Sequence, residues 1–247
     1  MFSYQAIYFA YATAVVGWLV AWRVAPRLWP RSVSPRFSAP WLELCWALVA
    51  CGGIIGIGQV YTHVFRFSAT GALGTLAESL NQAVIFSPVA ILLLLRGHGL
   101  ETVWIKRERV FVRIAIGMGL AWVALLAFAI ARHRASDWFD LLRTAYQWNH
   151  VEHAVQVFGE DAAIAMLAVR FNAALRRPWA TAVIVGLLFA GGHVPAQLAN
   201  GLAPSEMLHL VFDFVLAAGV IGVVQRSADI WWFWCVHFAI DMSQFWR

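Results

Sequence analysis

The chain is a succession of apolar runs, most of them about as long as a bilayer is thick, separated by short charged or Pro/Gly-containing segments. A membrane-spanning helix needs about 20 predominantly apolar residues. Only 13% of the 247 residues are charged and the mean hydropathy is +0.70, whereas about a quarter of the residues in a soluble domain are charged. The sequence therefore predicts an all-α, polytopic membrane helix bundle, forming a single integral membrane domain over residues 1–247.

The apolar runs predict about eight transmembrane helices, with connections too short for a soluble domain. Their approximate bounds are 5–22, 41–61, 76–95, 110–131, 149–171, 179–199, 206–224 and 229–246. The third run contains Pro88 directly after Ser87. Because proline removes one backbone hydrogen bond, a kink is expected there.

The net charge of +5 does not indicate a nucleic-acid interface, because the Lys and Arg residues are spread through the connections rather than gathered on one face. With eight spans, the positive-inside rule places both termini outside. The Pro- and Arg-rich segment 23–40 is expected to be an interfacial linker without a long helix. Cys45, Cys51 and Cys235 fit neither a disulfide framework nor a zinc motif. We expect a multi-pass protein of the bacterial inner membrane, with the lipid bilayer as its partner.

Several ionisable side chains lie inside the last apolar runs, where each charge costs roughly 2.5–3.5 kcal/mol on insertion scales. They are Glu160, Asp161, His193, His237 and Asp241. A chain that holds such groups on several helices is expected to use them. For a single membrane carboxylate, a structural hydrogen bond between helices is an equally good interpretation.

In the run NHVEHAVQVFGEDAAIAMLAVRF, His150, His153 and Glu160 share one helix face, whereas Asp161 points about 100° away from Glu160. One carboxylate can thus face the bundle interior while its neighbour meets another helix. Glu160 is a candidate general base. The two histidines lie near the predicted helix start, where a solvated interfacial position is at least as good an interpretation as a ligand role.

Two further pairs are spaced four residues apart and so share a helix face. Phe189 precedes His193, which alone would indicate a packing notch beside a core histidine, and His237 precedes Asp241. A carboxylate one turn away can accept a hydrogen bond from one ring nitrogen and fix the tautomer of the other. A competing pair of the same spacing, His209 and Asp213, lies nearer a predicted helix start, so we rank it second.

Together, Glu160-Asp161, Phe189-x-x-x-His193 and His237-x-x-x-Asp241 resemble the three motifs of the CAAX-processing and bacteriocin-processing (CPBP, or Abi) family of intramembrane proteases. The resemblance covers residues 149–241, which would hold the catalytic core, and the earlier helices match only in hydropathy. It implies catalytic roles for Glu160, His193, His237 and Asp241, with Asp161 and Phe189 in support.

The chain departs from the family pattern at two positions. The second acid is Asp161 where the family has Glu, and Ala165 stands where the family has Arg. Arg170 lies more than a turn further along, near the inner end of the helix, and is not an obvious substitute. Without the motif cation, Asp161 must find another partner or stay protonated.

The resemblance implies hydrolysis of a peptide bond in a membrane-associated peptide or protein. Glu160, helped by His193, would deprotonate a water, and His237, held by Asp241, would donate a hydrogen bond to the oxyanion. A metal form, with zinc as the candidate ion on His193, His237 and Glu160, is also open. The alternatives are an inactive relative acting as a scaffold or immunity-type protein, and a proton-coupled transporter.

Overall fold

The computed structural model of the protein describes residues 2–29, 35–199, 201 and 207–246, and these contain helices but no strand. The α-helices are α1 (Phe2–Val24), α2 (Pro40–His63), α3 (Gly71–Ile85), α4 (Ser87–Arg96), α5 (Val110–Ala131), α6 (Trp138–Ala145), α7 (Val151–Leu175), α8 (Pro178–Gly192), α9 (Val194–Ala199), α10 (His209–Ser227) and α11 (Ile230–Met242). Short 3₁₀ helices cover Leu100–Val103, Ala135–Asp137, Trp148–His150 and Ser243–Phe245. The predicted all-α class is confirmed.

Four helices are long and apolar enough to cross a membrane by length and composition. They are Tyr4–Val24, Pro40–Tyr61, Val110–Ala131 and His209–Ser227. The pair α3 and α4 makes a fifth candidate span, bent by 43°. The bend falls at Phe86, two residues before Pro88, so the kink predicted from the proline is confirmed.

The predicted count of eight spans is not confirmed, for two physical reasons. At 1.5 Å per residue, the 15 residues of α8 and the 13 residues of α11 extend only about 23 and 20 Å, less than the roughly 30 Å of a hydrocarbon core. The 25-residue α7 is long enough but carries Glu152, Glu160, Asp161 and Arg170. Residue 206, the predicted start of the seventh span, lies outside the described residues.

Helix α7 tolerates these charges because other helices surround it. It packs against α2, α3, α8 and α11, and most of its residues from Val157 to Phe171 are buried. In turn, α8 packs against α10, and α5 packs against α1 and α11. The three helices that carry the sequence motifs, α7, α8 and α11, are therefore neighbours at the centre of the bundle.

A buried polar network fixes the end of the bundle where α5 and α11 begin. The Nη1 of Arg113 and the Nε1 of Trp29 both donate to Oδ2 of Asp229, the latter over 2.7 Å. Arg113 also donates through Nη2 to the carbonyl of Leu28. The predicted linker 23–40 contains no regular helix between Val24 and Pro40 in its described part, and residues 30–34 lie outside that part.

Candidate active site

A cavity of about 490 Å³ lies between α1, α5, α7, α8, α10 and α11. It is lined by all four residues predicted to be catalytic, together with the supporting Phe189. Those four are Glu160, His193, His237 and Asp241. The structure thus brings together side chains that are separated by up to 81 positions in the sequence.

Glu160 lies on the face of α7 that borders this cavity. The amide Nε2 of Gln156, one turn earlier, donates to Glu160 Oε1 over 2.9 Å, and both side chains line the cavity. The bond fixes one carboxylate oxygen and leaves the other without a partner among the described residues. Sequence reasoning missed Gln156, although its i, i+4 spacing from Glu160 could have indicated it.

The imidazole of His237 is held from across the helix interface by Asp161. Its Nδ1 lies 2.8 Å from Asp161 Oδ1, and Asp161 is only 1% exposed. An ionised carboxylate can only accept a hydrogen bond, so Nδ1 is the donor. The ring of Phe233 stacks on the imidazole at a centroid distance of 5.4 Å. The hydrogen bond and the stacked ring together set the orientation of His237.

This pairing corrects the role predicted for Asp241 as the residue that holds His237. The Oδ1 of Asp241 lies 3.8 Å from Nε2 of His237, which is too far for a hydrogen bond. The spacing of four residues brings the carboxylate near the ring, but Asp161 reaches Nδ1 from α7. Asp241 therefore remains available to the cavity, which it lines.

Glu160, His237 and Asp241 form a compact cluster of potential ligands. Each offers one ligand atom such that all three atoms lie within 4.8 Å of one another. An imidazole whose other nitrogen donates to a carboxylate is a common metal-ligand arrangement. The residues fit a divalent cation with an open position for water, although the set contains Asp241 where the sequence predicted His193.

His193 lies just beyond the end of α8 and faces the same cavity. Its Nδ1 is 2.9 Å from the carbonyl oxygen of Phe189. Since a carbonyl only accepts, Nδ1 is the donor and Nε2 of the neutral ring is left as an acceptor. The Phe189 ring also contacts the imidazole edge-on, at a centroid distance of 4.8 Å. Phe189 thus orients His193 through both its backbone and its ring.

Neither of the two positions considered for a cation near Asp161 supplies one. Ala165, which stands where the resembled motif has arginine, is completely buried. Arg170 is also completely buried, but its guanidinium contacts the carbonyls of Thr102 and Met166 and the ring of Phe37. It does not line the cavity. The hydrogen-bond partner of Asp161 is instead His237.

The remaining candidates lie apart from the cluster. His150 and His153 line a separate pocket of about 360 Å³ together with Glu78 and Glu152. Asp213, from the pair ranked second, does line the main cavity, near Tyr4 on α1. It is outside the Glu160–His237–Asp241 cluster.

The comparisons with known proteins identify no relative of this chain. A scan against protein-family models, a search of curated proteins and a search of solved structures each gave no match. The function is therefore inferred from the geometry of the cavity.

Proposed function

We propose that this protein is an intramembrane endopeptidase of the CPBP type, which hydrolyses a peptide bond in a membrane-associated substrate. The observation that carries the proposal is the convergence of Glu160, His193, His237 and Asp241 on one cavity. Two of these side chains are acids, and the two imidazoles have their ring orientations fixed by hydrogen bonds from Nδ1. Such a set supplies a base, an acid and a donor for an oxyanion.

The proposed reaction begins with a water held between Glu160 and the acceptor nitrogen of His193. Glu160 takes one proton as the water oxygen bonds to the scissile carbonyl carbon. The imidazolium of His237, with Nδ1 bonded to Asp161, donates from Nε2 to the oxygen that becomes negative. The oxyanion then re-forms the carbonyl as the C–N bond breaks, and Glu160 returns the proton to the leaving amine, which gives a carboxylic acid and an amine.

A metal-dependent form is the second candidate, because three ligand atoms of Glu160, His237 and Asp241 lie within 4.8 Å of one another. A divalent cation bound there would lower the pKa of a bound water and polarise the carbonyl. Asp161 would then orient His237 as a metal ligand. Hydrolysis lost on treatment with 1,10-phenanthroline and restored by Zn²⁺ would favour this form, whereas full activity in the chelator favours the metal-free reaction.

We also propose that α7, α8 and α11 complete the membrane domain, giving the eight predicted spans in a bacterial inner membrane. The support is that these helices pack among apolar helices long enough to cross a bilayer. Short helices such as α8 and α11 can be accommodated in a membrane by local thinning or by packing against longer neighbours.

The proposed peptidase activity is tested with the full chain in lipid nanodiscs, incubated with a mixture of synthetic apolar peptides in H₂¹⁸O. Hydrolysis places one ¹⁸O in each new carboxylate, which mass spectrometry detects. We expect labelled products from the native protein and a loss of roughly 100-fold or more in Glu160→Gln. Glu152→Gln is the matched control, since Glu152 is on the same helix but lines the other pocket.

Peptide hydrolysis that survives both Glu160→Gln and His193→Ala would exclude this protease assignment. If the native protein cleaves nothing and the same variants abolish pH-dependent solute uptake into vesicles, the proton-coupled transporter replaces it. If neither activity is found, the scaffold interpretation gains support from the absence of the motif arginine at Ala165.

A further inference from the structure

Arg132 is the single Arg or Lys residue among the described residues that line the main cavity. It directly follows the last residue of α5 and its side chain is exposed. The other ionisable groups of the lining include three acids and two histidines: Glu160, Asp213, Asp241, His193 and His237. A cavity with three carboxylates thus has one permanent positive charge in its wall.

The guanidinium of Arg132 forms no ion pair or hydrogen bond with the described part of the chain. It lies over the ring of Phe128, with Cζ 6.0 Å from the ring centroid. The next two arginines in the sequence do have acidic partners: Arg134 lies 2.9 Å from Asp137 and Arg143 lies 3.9 Å from Asp140. The cavity carboxylates therefore lie beyond ion-pair distance of Arg132.

We propose that Arg132 binds a carboxylate of the substrate peptide, either on an acidic side chain or at the chain end. This inference rests on the proposed function. A guanidinium presents a planar fork of N–H donors that matches a carboxylate bidentately. Cavities of 300–1,000 Å³ are typical of ligand sites, so about 490 Å³ accommodates a short peptide segment.

Charge also fixes the direction in which such a peptide lies. The carboxylates of Glu160, Asp213 and Asp241 repel an anionic group from the rest of the cavity. The positive charge of the His237 imidazolium is already paired with Asp161, so Arg132 is the arginine or lysine of the described lining that attracts the anion. The anionic part of the substrate then lies at the end of α5, and the chain extends from there toward Glu160 and His237. Arg132 is a specificity-determining residue that contacts substrate away from the scissile bond.

The test measures binding separately from cleavage, in the Glu160→Gln form of the full chain in nanodiscs. The probes are three dansyl-labelled Leu/Ala octapeptides: one with a free C-terminal carboxylate, one with a C-terminal amide, and one amide with an internal Glu. We expect both carboxylate peptides to bind about tenfold more tightly than the plain amide, as charge-assisted bonds require. When Arg132→Gln is combined with Glu160→Gln, this difference in affinity should disappear. Arg132→Lys in the same form should retain part of it.

Arg143→Gln is the matched control, because Arg143 is exposed and lies outside the cavity. It should keep the full preference for the carboxylate peptides. Equal binding of the three peptides, no binding of any, or a preference that survives Arg132→Gln would overturn the inference. A carboxylate preference in a chain that cleaves nothing would support the role of Arg132 and exclude the protease. Cleavage without a carboxylate preference would support the protease and overturn the role of Arg132.

Discussion

His237 on α11 and Asp161 on α7 form a hydrogen bond of 2.8 Å between Nδ1 and Oδ1, across the interface of two helices that are 76 residues apart at these positions. The bond gives the buried carboxylate of Asp161 a hydrogen-bond partner on another helix. Asp161 Oδ2 has no partner among the described residues, so the orientation of Asp161 depends on His237 alone. The same bond assigns the donor nitrogen of the imidazole.

Asp161→Asn should lower peptide hydrolysis by about 10- to 100-fold, the usual effect of losing the carboxylate behind a functional histidine. The amide keeps the shape of the side chain but does not stabilise an imidazolium. The measurement is kcat on one cleaved peptide, with the protonation of the two His237 ring nitrogens followed by ¹⁵N NMR. An unchanged kcat together with unchanged protonation of the ring would show that Asp161 is only a packing residue.

Gln156→Leu should lower kcat by about tenfold or more, because a hydrogen bond to a charged group is worth roughly 1.5–3 kcal/mol. The variant removes the donor to Glu160 Oε1 while keeping a side chain of similar size. KM should stay within about twofold if Gln156 acts only by positioning Glu160. A rise in KM with constant kcat would instead place Gln156 in substrate binding.

Gly117→Ala should destabilise the protein by about 1–3 kcal/mol, because α5 and α11 are in close contact there. An added Cβ would lie 2.8 Å from Trp232 Cα and 3.1 Å from Cys235 Sγ. Gly119→Ala, on the same helix, is the control, since a methyl group added there would have no neighbouring atom within 4 Å among the described residues. Thermal unfolding in detergent should separate the two, with Gly119→Ala neutral or slightly stabilising.

Arg113→Met alone should cost about 3–5 kcal/mol, because it leaves the buried carboxylate of Asp229 without its cation. Asp229→Asn alone should also be destabilising, although its amide oxygen still accepts from Trp29. The double variant Arg113→Met/Asp229→Asn should be more stable than Arg113→Met. Chemical unfolding of the four proteins tests this, and strictly additive losses would show that the two side chains are not coupled.

Much of this architecture could be predicted from local sequence patterns. The apolar runs predicted the all-helical class, and Pro88 predicted the bend between α3 and α4. The spacing of four residues placed Phe189 beside His193. Each of these predictions depends on residues that are close together in the sequence and on one helix geometry.

Other features depend on contacts between segments that are distant in the sequence, and patterns within a single helix do not indicate these contacts. The bond between Asp161 and His237 arises from how α7 packs on α11. The role of holding His237 was therefore wrongly given to Asp241, which is nearer to it in the sequence. The span count was not confirmed because α8 and α11 are shorter than the apolar runs that contain them, and because α7 carries four charged residues. The Lys and Arg residues of the connections, which include Arg132, were interpreted only through the positive-inside rule, since no local pattern relates Arg132 to the cavity.

The cavity is built partly from the ends of helices, and this has a consequence for the movement of water and products. His193 lies just beyond the end of α8, and Asp241 lies in the last turn of α11. Arg132 lines the same cavity, directly follows α5 and is exposed. The cavity therefore reaches the protein surface at the end of α5, so that in the proposed protease water can enter there and a polar product can leave without passing between apolar helices.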